Sequence, residues 1–341
     1  MIKRHSTENI FGIDAFRGLS IILMFITHGS RIYNGSGDNG ILNSLLHFFS
    51  IIEPFTSASF LFLVGVGLNL SFSKNKLSYS SWLKSNTIKA AQLYLIGLLF
   101  FFMEYGVQIP EMFFGPSILS IIALAIISLS LCITSPFFLL WGSILIGAIS
   151  LSCEGTAVQG INTGPGGVFP LVLFSFLGYF GYEFIKTKNK SGWGLIGLGI
   201  VSSFYPHLPT EHWTQTYPSI YDHFLSGQTG FDYIQSMGSI HGYTKVGFWN
   251  HTLVSVFRLF IPLILILGLV IKYSNQIKNN LFGPIFGRLG RHALGLYLLH
   301  LTIIAVCDFS GLRPASALWD WAFIGFLILI GNYYARYQDQ K

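Results

Sequence analysis

Ten apolar runs, at about residues 11–30, 54–73, 87–105, 114–133, 136–153, 167–186, 192–206, 248–272, 289–307 and 317–335, leave this chain few ways to fold. A span across a hydrocarbon core of about 30 Å takes roughly 20 helical residues. Lipid offers no partners to backbone amides, so the runs must be helices or barrel strands, and their length selects helices. Charge density agrees: 10% of the 341 residues are charged, against about 25% in soluble domains. The expectation is an all-α, polytopic transmembrane bundle of about ten spans, forming a single membrane domain over residues 1–341. The seventh run is the weakest, because Gly192 to Tyr205 is short for a straight crossing.

Basic residues test the count. Ten spans put both termini on one side, with Lys3, Arg4, Lys74, Lys76, Lys84, Lys186, Lys188, Lys190, Lys272, Lys278, Arg288, Arg291, Arg336 and Lys341. The opposite loops hold Arg31, Lys245 and Arg313. By the positive-inside rule both termini are cytoplasmic. The formal net charge of +6 is spread over short loops, so it marks topology and not nucleic-acid binding. The three cysteines, Cys132, Cys153 and Cys307, have no metal or disulfide spacing. No small-residue cleavage site follows the first apolar run, which reads as a retained span. Two outer segments stand out. Residues 32–53 read as a loop followed by a short interfacial helix, ILNSLLHFFSIIEPF, and residues 207–246 as a long polar loop rich in Tyr and His.

The first span, IFGIDAFRGLSIILMFITHGSR from Ile10 to Arg31, carries Asp14, Arg17 and His28 among apolar residues. Ionisable groups at membrane depth cost about 2.5–3.5 kcal/mol on insertion scales, so they face protein and usually serve a purpose. Asp14 and Arg17 are one helical turn apart and can pair. Eleven steps of about 100° bring His28 to within roughly 20° of Arg17, some 16 Å along the axis. Asp14, Arg17, Ser20, Met24 and His28 therefore form one lengthwise stripe. A helix with a cation near one membrane face and an imidazole near the other can hold a long ligand between them.

Arg17, ten residues, then His28 resembles the Arg-x10-His motif of the acyltransferase-3 family. DAFRGLSIILMFITH is similar to the first helix of glucan succinyltransferases and of heparan-α-glucosaminide N-acetyltransferase-like proteins. EPFTSASFLFLVGVGLNLSF, from Glu53, resembles the second helix of the succinyltransferases, with Ser57 where that family has Asp. GRLGRHALGLYLLHLTII, from Gly287, resembles the late acyltransferase-3 helix that often reads Gly-x-Tyr-Leu-x-His. FFGPSILSIIALAII and VFPLVLFSFLGYFGYEF resemble helices of the heparan-acetyltransferase-like group.

The resemblance implies transfer of an acyl group, with acetyl the first expectation, from cytoplasmic acyl-CoA (acetyl-CoA) as co-substrate to a carbohydrate at the outer face. His28 takes the role of base, and imidazole suits it near neutral pH. His47 is the second candidate base, since acetyltransferase-like members place a histidine between their first two helices. Those members have Asn where His28 stands. Glu53 lies one turn before Ser57 and could replace the missing carboxylate, orienting His28 or His47. Arg17 suits a phosphate of coenzyme A, because guanidinium forks onto anions. Asp14 would position Arg17, and Arg258, four residues before Pro262, adds a second donor contact or an oxyanion donor. Tyr297 and His300 share a helical face and line the tunnel or simply bond each other within the bundle. Glu104 and Glu183 are candidate counter-ions.

The expectation is an integral, multi-pass membrane acyltransferase that modifies glycans; no serine sits in a readable Ser-His-Asp arrangement, which favours direct transfer and leaves an acyl-enzyme as the open alternative. Its acceptor is a glycan or glycolipid hydroxyl or amine, its surroundings are membrane lipids, and no metal or nucleic acid is expected. Short termini and loops point to a bacterial inner (plasma) membrane. The competing class is a transporter or flippase for a glycan or lipid-linked substrate, against which the lack of an inverted repeat weighs.

Overall fold

The structure is a computed structural model that describes residues 2–32, 41–74, 78–105, 113, 117–153, 168–187, 190–204, 251–310 and 316–340. Among the described residues the chain is all-helical and has no strand. In order the helices are α1 (Ile2–Ile32), α2 (Ile41–Ser73), α3 (Tyr79–Tyr105), α4 (Ile118–Cys132), α5 (Pro136–Cys153) and α6 (Leu173–Thr187). They continue as α7 (Lys190–Phe204), α8 (Leu253–Lys272), α9 (Ser274–Asn279), α10 (Gly283–Arg291), α11 (Ala293–Phe309) and α12 (Ala317–Gln340).

Each of the ten apolar runs carries a helix. Five helices are long and apolar enough to cross a membrane, and a sixth span results if α10 and α11, bent by 85°, count as one. Three further apolar helices are shorter. Exposed faces are apolar, as lipid requires: Leu95, Leu99 and Phe102 on α3, Phe137, Trp141 and Leu145 on α5, and Leu318, Leu329 and Tyr333 on α12. The polar segment at 207–246 lies outside the described residues. Residues 41–53 are the opening turns of α2, which runs unbroken through Pro54. Proline there removes one amide donor, a loss a membrane helix tolerates when neighbours resupply the freed carbonyl.

The chain groups into two compact units, Met1–Thr56 with Leu265–Lys341, and Ser57–Ile264. In the first, α1 is the central element. It crosses α10 so closely that a methyl on Gly18 would strike the Phe286 carbonyl, and one on Gly290 the Asp14 carbonyl. Small residues are what allow membrane helices to approach at that distance. Farther along, Gly29 faces Ile324 of α12, and Gly331 of α12 faces Phe25 of α1 and Leu296 of α11. Ile26, Leu46, Ala317 and Ile324 bury together and tie the start of α2 to α1 and α12. The Trp321 indole donates to the Leu42 carbonyl at 3.1 Å.

The second unit repeats the glycine device between α2 and α6. A methyl on Gly65 would meet the Ser175 carbonyl, and one on Gly178 the Phe62 carbonyl. Phe62 and Phe260 then pack with ring centroids 6.3 Å apart. Ser117 caps α4 by accepting from the Leu119 amide.

Candidate active site

Both ends of the α1 stripe are occupied by defined polar contacts. At the end nearer the N-terminus, Arg17 Nη1 donates to Asp14 Oδ1 at 3.0 Å and lies 3.5 Å from the Gly290 carbonyl. Asp14 is buried and Arg17 keeps 30% of its side chain exposed. The glycine crossing positions this pair: only a bare Cα at 290 lets α10 come near enough to offer its carbonyl. Three basic side chains of the α10–α11 elbow converge on α12. Arg291 Nη2 reaches Asp339 Oδ2 at 2.8 Å, Arg288 Nε reaches the same oxygen at 3.3 Å, and His292 Nε2 lies 2.9 Å from Oδ1. Arg288 also donates to Asn332 Oδ1 at 3.0 Å.

At the other end, His28 Nδ1 stands 2.9 Å from His300 Nε2, and the two rings stack with centroids 5.1 Å apart. His300 is fully enclosed, with its Nδ1 3.2 Å from the Leu296 carbonyl. A carbonyl can only accept, so Nδ1 of His300 carries the proton and its Nε2 is a lone pair. His28 must then donate from Nδ1, which puts its own lone pair on Nε2. Phe25 and Tyr297 enclose the inner imidazole, each with its ring centroid 5.3 Å from that of His300. His28 itself is only half-buried.

Between these ends the stripe is closed. Ser20 and Met24 have no exposed surface, and Ser20 donates to the Phe16 carbonyl. Among the described residues, the buried side chains of Ser20 and Met24 stand between the two ends of the stripe.

The remaining expected residues are more scattered. Glu53 is buried next to Pro54, and His47 lies on α2 with its side chain outside the described residues. Tyr297 and His300 come together with His28, as the late-helix spacing allows. Arg258 lies in the second unit, where its Nε donates to the Ser202 carbonyl at 2.8 Å. Glu183 pairs with Lys186 at 3.5 Å, and the Glu104 side chain lies outside the described residues. Among the described residues no group of three His, Cys, Asp or Glu side chains could hold a metal ion.

Two polar features escaped sequence reasoning. Ser57 Oγ lies 3.1 Å from His251 Nε2, whose Nδ1 is 3.3 Å from Ser255 Oγ, all three buried in the second unit. The partners are 194 residues apart, so no spacing announces them. In the first unit, Asp320 is completely enclosed, and neither carboxylate oxygen has a hydrogen-bond partner.

Apolar helices, an Asp14–Arg17 ion pair on α1 and a histidine pair joining α1 to α11 are the features that the first unit brings together. Residues 10–191, more than half of the chain, match the family described as heparan-alpha-glucosaminide N-acetyltransferase, catalytic. The chain belongs to that family, and it is accordingly an acetyltransferase of the membrane. The matched region contains Asp14, Arg17, His28, His47 and Glu53, whereas Arg258, Tyr297 and His300 lie beyond it. No curated protein matches the chain.

Proposed function

We propose that the protein transfers an acetyl group from acetyl-CoA on the cytoplasmic side to a hydroxyl or amine of a glycan or glycolipid at the outer face. The observation that carries this reading is the His28–His300 pair, which directs a basic nitrogen away from an enclosed partner. The acceptor heteroatom attacks the thioester carbonyl carbon, the carbon–sulfur bond breaks, and coenzyme A departs with its sulfur taking up a proton. His28 Nε2 receives the proton the acceptor loses. His300 is a positioning residue that fixes the tautomer of His28, in the way an oriented imidazole gains from a third group. His47 remains the alternative base, with Glu53 orienting whichever histidine serves.

Arg17, held by Asp14, supplies charge for a phosphate of the donor at the cytoplasmic end. Arg288 and Arg291 lie on the same side and contribute in second place, and Arg258 is a further donor contact or an oxyanion donor. Ten spans with cytoplasmic termini fit the helix found on every apolar run and the segregation of Lys and Arg. Because Ser20 and Met24 pack tightly, the acyl arm reaches His28 only if the side chains around Met24 part. Met24 is unbranched and adaptable, so its rotamers can change at low cost.

The deciding experiment is transfer from radiolabelled acetyl-CoA in proteoliposomes with the donor added on one side only. The reading expects turnover by wild type and loss in His28→Ala, with coenzyme A binding retained. Undiminished transfer by His28→Ala would overturn the assignment of the base.

A further inference from the structure

We infer that the turn joining α8 to α10 is a lipid-binding site. Leu281 and Phe282 enter the bilayer interface, and Lys272 and Lys278 hold the phosphate of an anionic phospholipid there. The inference starts from a surface that the rest of the described chain leaves uncovered: Leu281 is 80% exposed and Phe282 59%. Both lie at the tip of a tight fold. A methyl on Gly283 would strike the Ile277 carbonyl, so α10 turns straight back against α9. Around the tip, Lys272, Lys278, Asn279 and Asn280 are exposed as well. An apolar tip flanked by cations is the pattern of segments that lie in a membrane interface.

Close approaches to α1 fix the level of this turn. The apolar span of α1 begins at Phe11, and Gly12 lies against the backbone of Val270 and Ile271 at the end of α8. Lys272 therefore stands where both helices leave the apolar layer. α10 crosses α1 at Asp14 and Gly18, one to two turns inside that boundary. Its axis is bent by 85° from α11, so with α11 crossing the membrane α10 runs along the surface. The tip that precedes α10 is thus at the depth where headgroups give way to acyl chains.

Charge selects the headgroup. From Lys272 to Arg291 the chain carries four Lys or Arg residues and no carboxylate. Arg288 and Arg291 spend their charge on Asp339. Lys272 and Lys278 make no ion pair among the described residues. The Lys272 ammonium lies 5.1 Å from the Tyr273 ring centroid, a contact with the ring face that leaves its N–H donors for an oxygen ligand. Long stems let lysines keep the charge among headgroups while the methylenes lie on apolar surface. A phospholipid satisfies both halves of the turn at once, with acyl chains against Leu281 and Phe282 and a phosphate for the lysines. A water-soluble polyanion would leave the apolar tip uncovered.

The test is contact quenching by lipids with brominated acyl chains. Full-length Phe282→Trp is placed in vesicles of phosphatidylcholine and phosphatidylglycerol, with bromine on one lipid or the other. Wild type in the same vesicles supplies the background of the native tryptophans. The added indole is expected to be quenched, with phosphatidylglycerol enriched about fivefold beside it, which is what one lysine contributes near a charged leaflet. The enrichment should vanish in about 1 M salt. Lys272→Gln combined with Lys278→Gln should bring the ratio close to one, whereas Arg336→Gln, an exposed cation of α12 outside the turn, should leave it unchanged. No quenching by either lipid, equal quenching by both, or a preference that survives loss of the two lysines overturns the inference. So does a preference that Arg336→Gln lowers as much as the lysine pair does, because the charge would then be general and not a site. Loss of the preference on adding coenzyme A also overturns it, since the lysines would be serving the donor. The Phe282→Trp protein alone decides the first two outcomes, so misfolding of the lysine variant does not shield the idea. Acetyl transfer enters none of these readouts, so this inference and the proposed function stand or fall separately.

Discussion

The protein holds two buried histidine contacts that look alike on paper and differ in physical character. In the second unit, His251 touches Ser57 with one ring nitrogen and Ser255 with the other, and all three side chains are enclosed. In the first unit, the enclosed member is His300, and its partner His28 is half-exposed. Both hydrogen-bond sets satisfy polar groups that lipid would not. The His28 pair includes a half-buried ring, and the helix that carries it also carries the Asp14–Arg17 ion pair. A satisfied imidazole with no access stabilises a fold; one with access can exchange a proton.

The largest effect that would sharpen this contrast is catalytic. Replacing His28 with Ala should lower acetyl transfer by about 10²–10⁴-fold, the range general-base catalysis supplies. Steady-state rates on folded, quantified protein check it. His300→Ala should follow with a loss of about tenfold in kcat and little change in KM for acetyl-CoA, because a transition-state interaction is weakened and donor binding is not. His300→Gln, which offers His28 an acceptor oxygen, should recover part of the rate. Were the two histidine variants equally dead, His300 would be more than a positioning group.

In the second unit, Ser57→Ala should act on stability. Leaving His251 without its partner costs about 1–3 kcal/mol, visible as a lower melting temperature, while transfer per folded molecule stays at the wild-type value. A collapse of transfer in Ser57→Ala at normal stability would break the contrast and move the chemistry to the second unit. The smallest expected change is at the other end of α1. Arg17→Lys keeps the charge but loses the fork, so KM for acetyl-CoA should rise several-fold with kcat nearly unchanged. A fall in kcat alone would count against a donor-binding role.

Much of the first unit could be read from sequence because its information is local. Asp14, Arg17 and His28 lie on one helix, and helical geometry alone aligns them. Apolar periodicity likewise located a helix for every run. The pairing of His28 with His300 could not be read, since 272 residues separate them and only tertiary packing brings them together. Ser57 with His251 was hidden for the same reason. Asp320 was concealed differently: in LWDWAF it passes for an ordinary acidic residue in a first helical turn, and only its burial in the structure shows otherwise. Pro54 misdirects in the opposite sense. Proline suggests a boundary between a surface helix and a span, yet α2 absorbs it. The closed packing at Ser20 and Met24 is also beyond sequence, for a stripe of polar positions says nothing of the volume in front of it.

The crossing of α1 and α10 has a practical corollary for anyone wishing to redirect this enzyme. Positions 18 and 290 tolerate no side chain, because each Cα lies against the other helix's backbone. Even an alanine there would push the helices apart and carry Arg17 away from the Gly290 carbonyl. Directed evolution will thus find the Arg17 end rigid and unforgiving. If the proposed base is right, variation that changes what is acetylated belongs some 16 Å away, around His28, where the neighbours are side chains that can be exchanged.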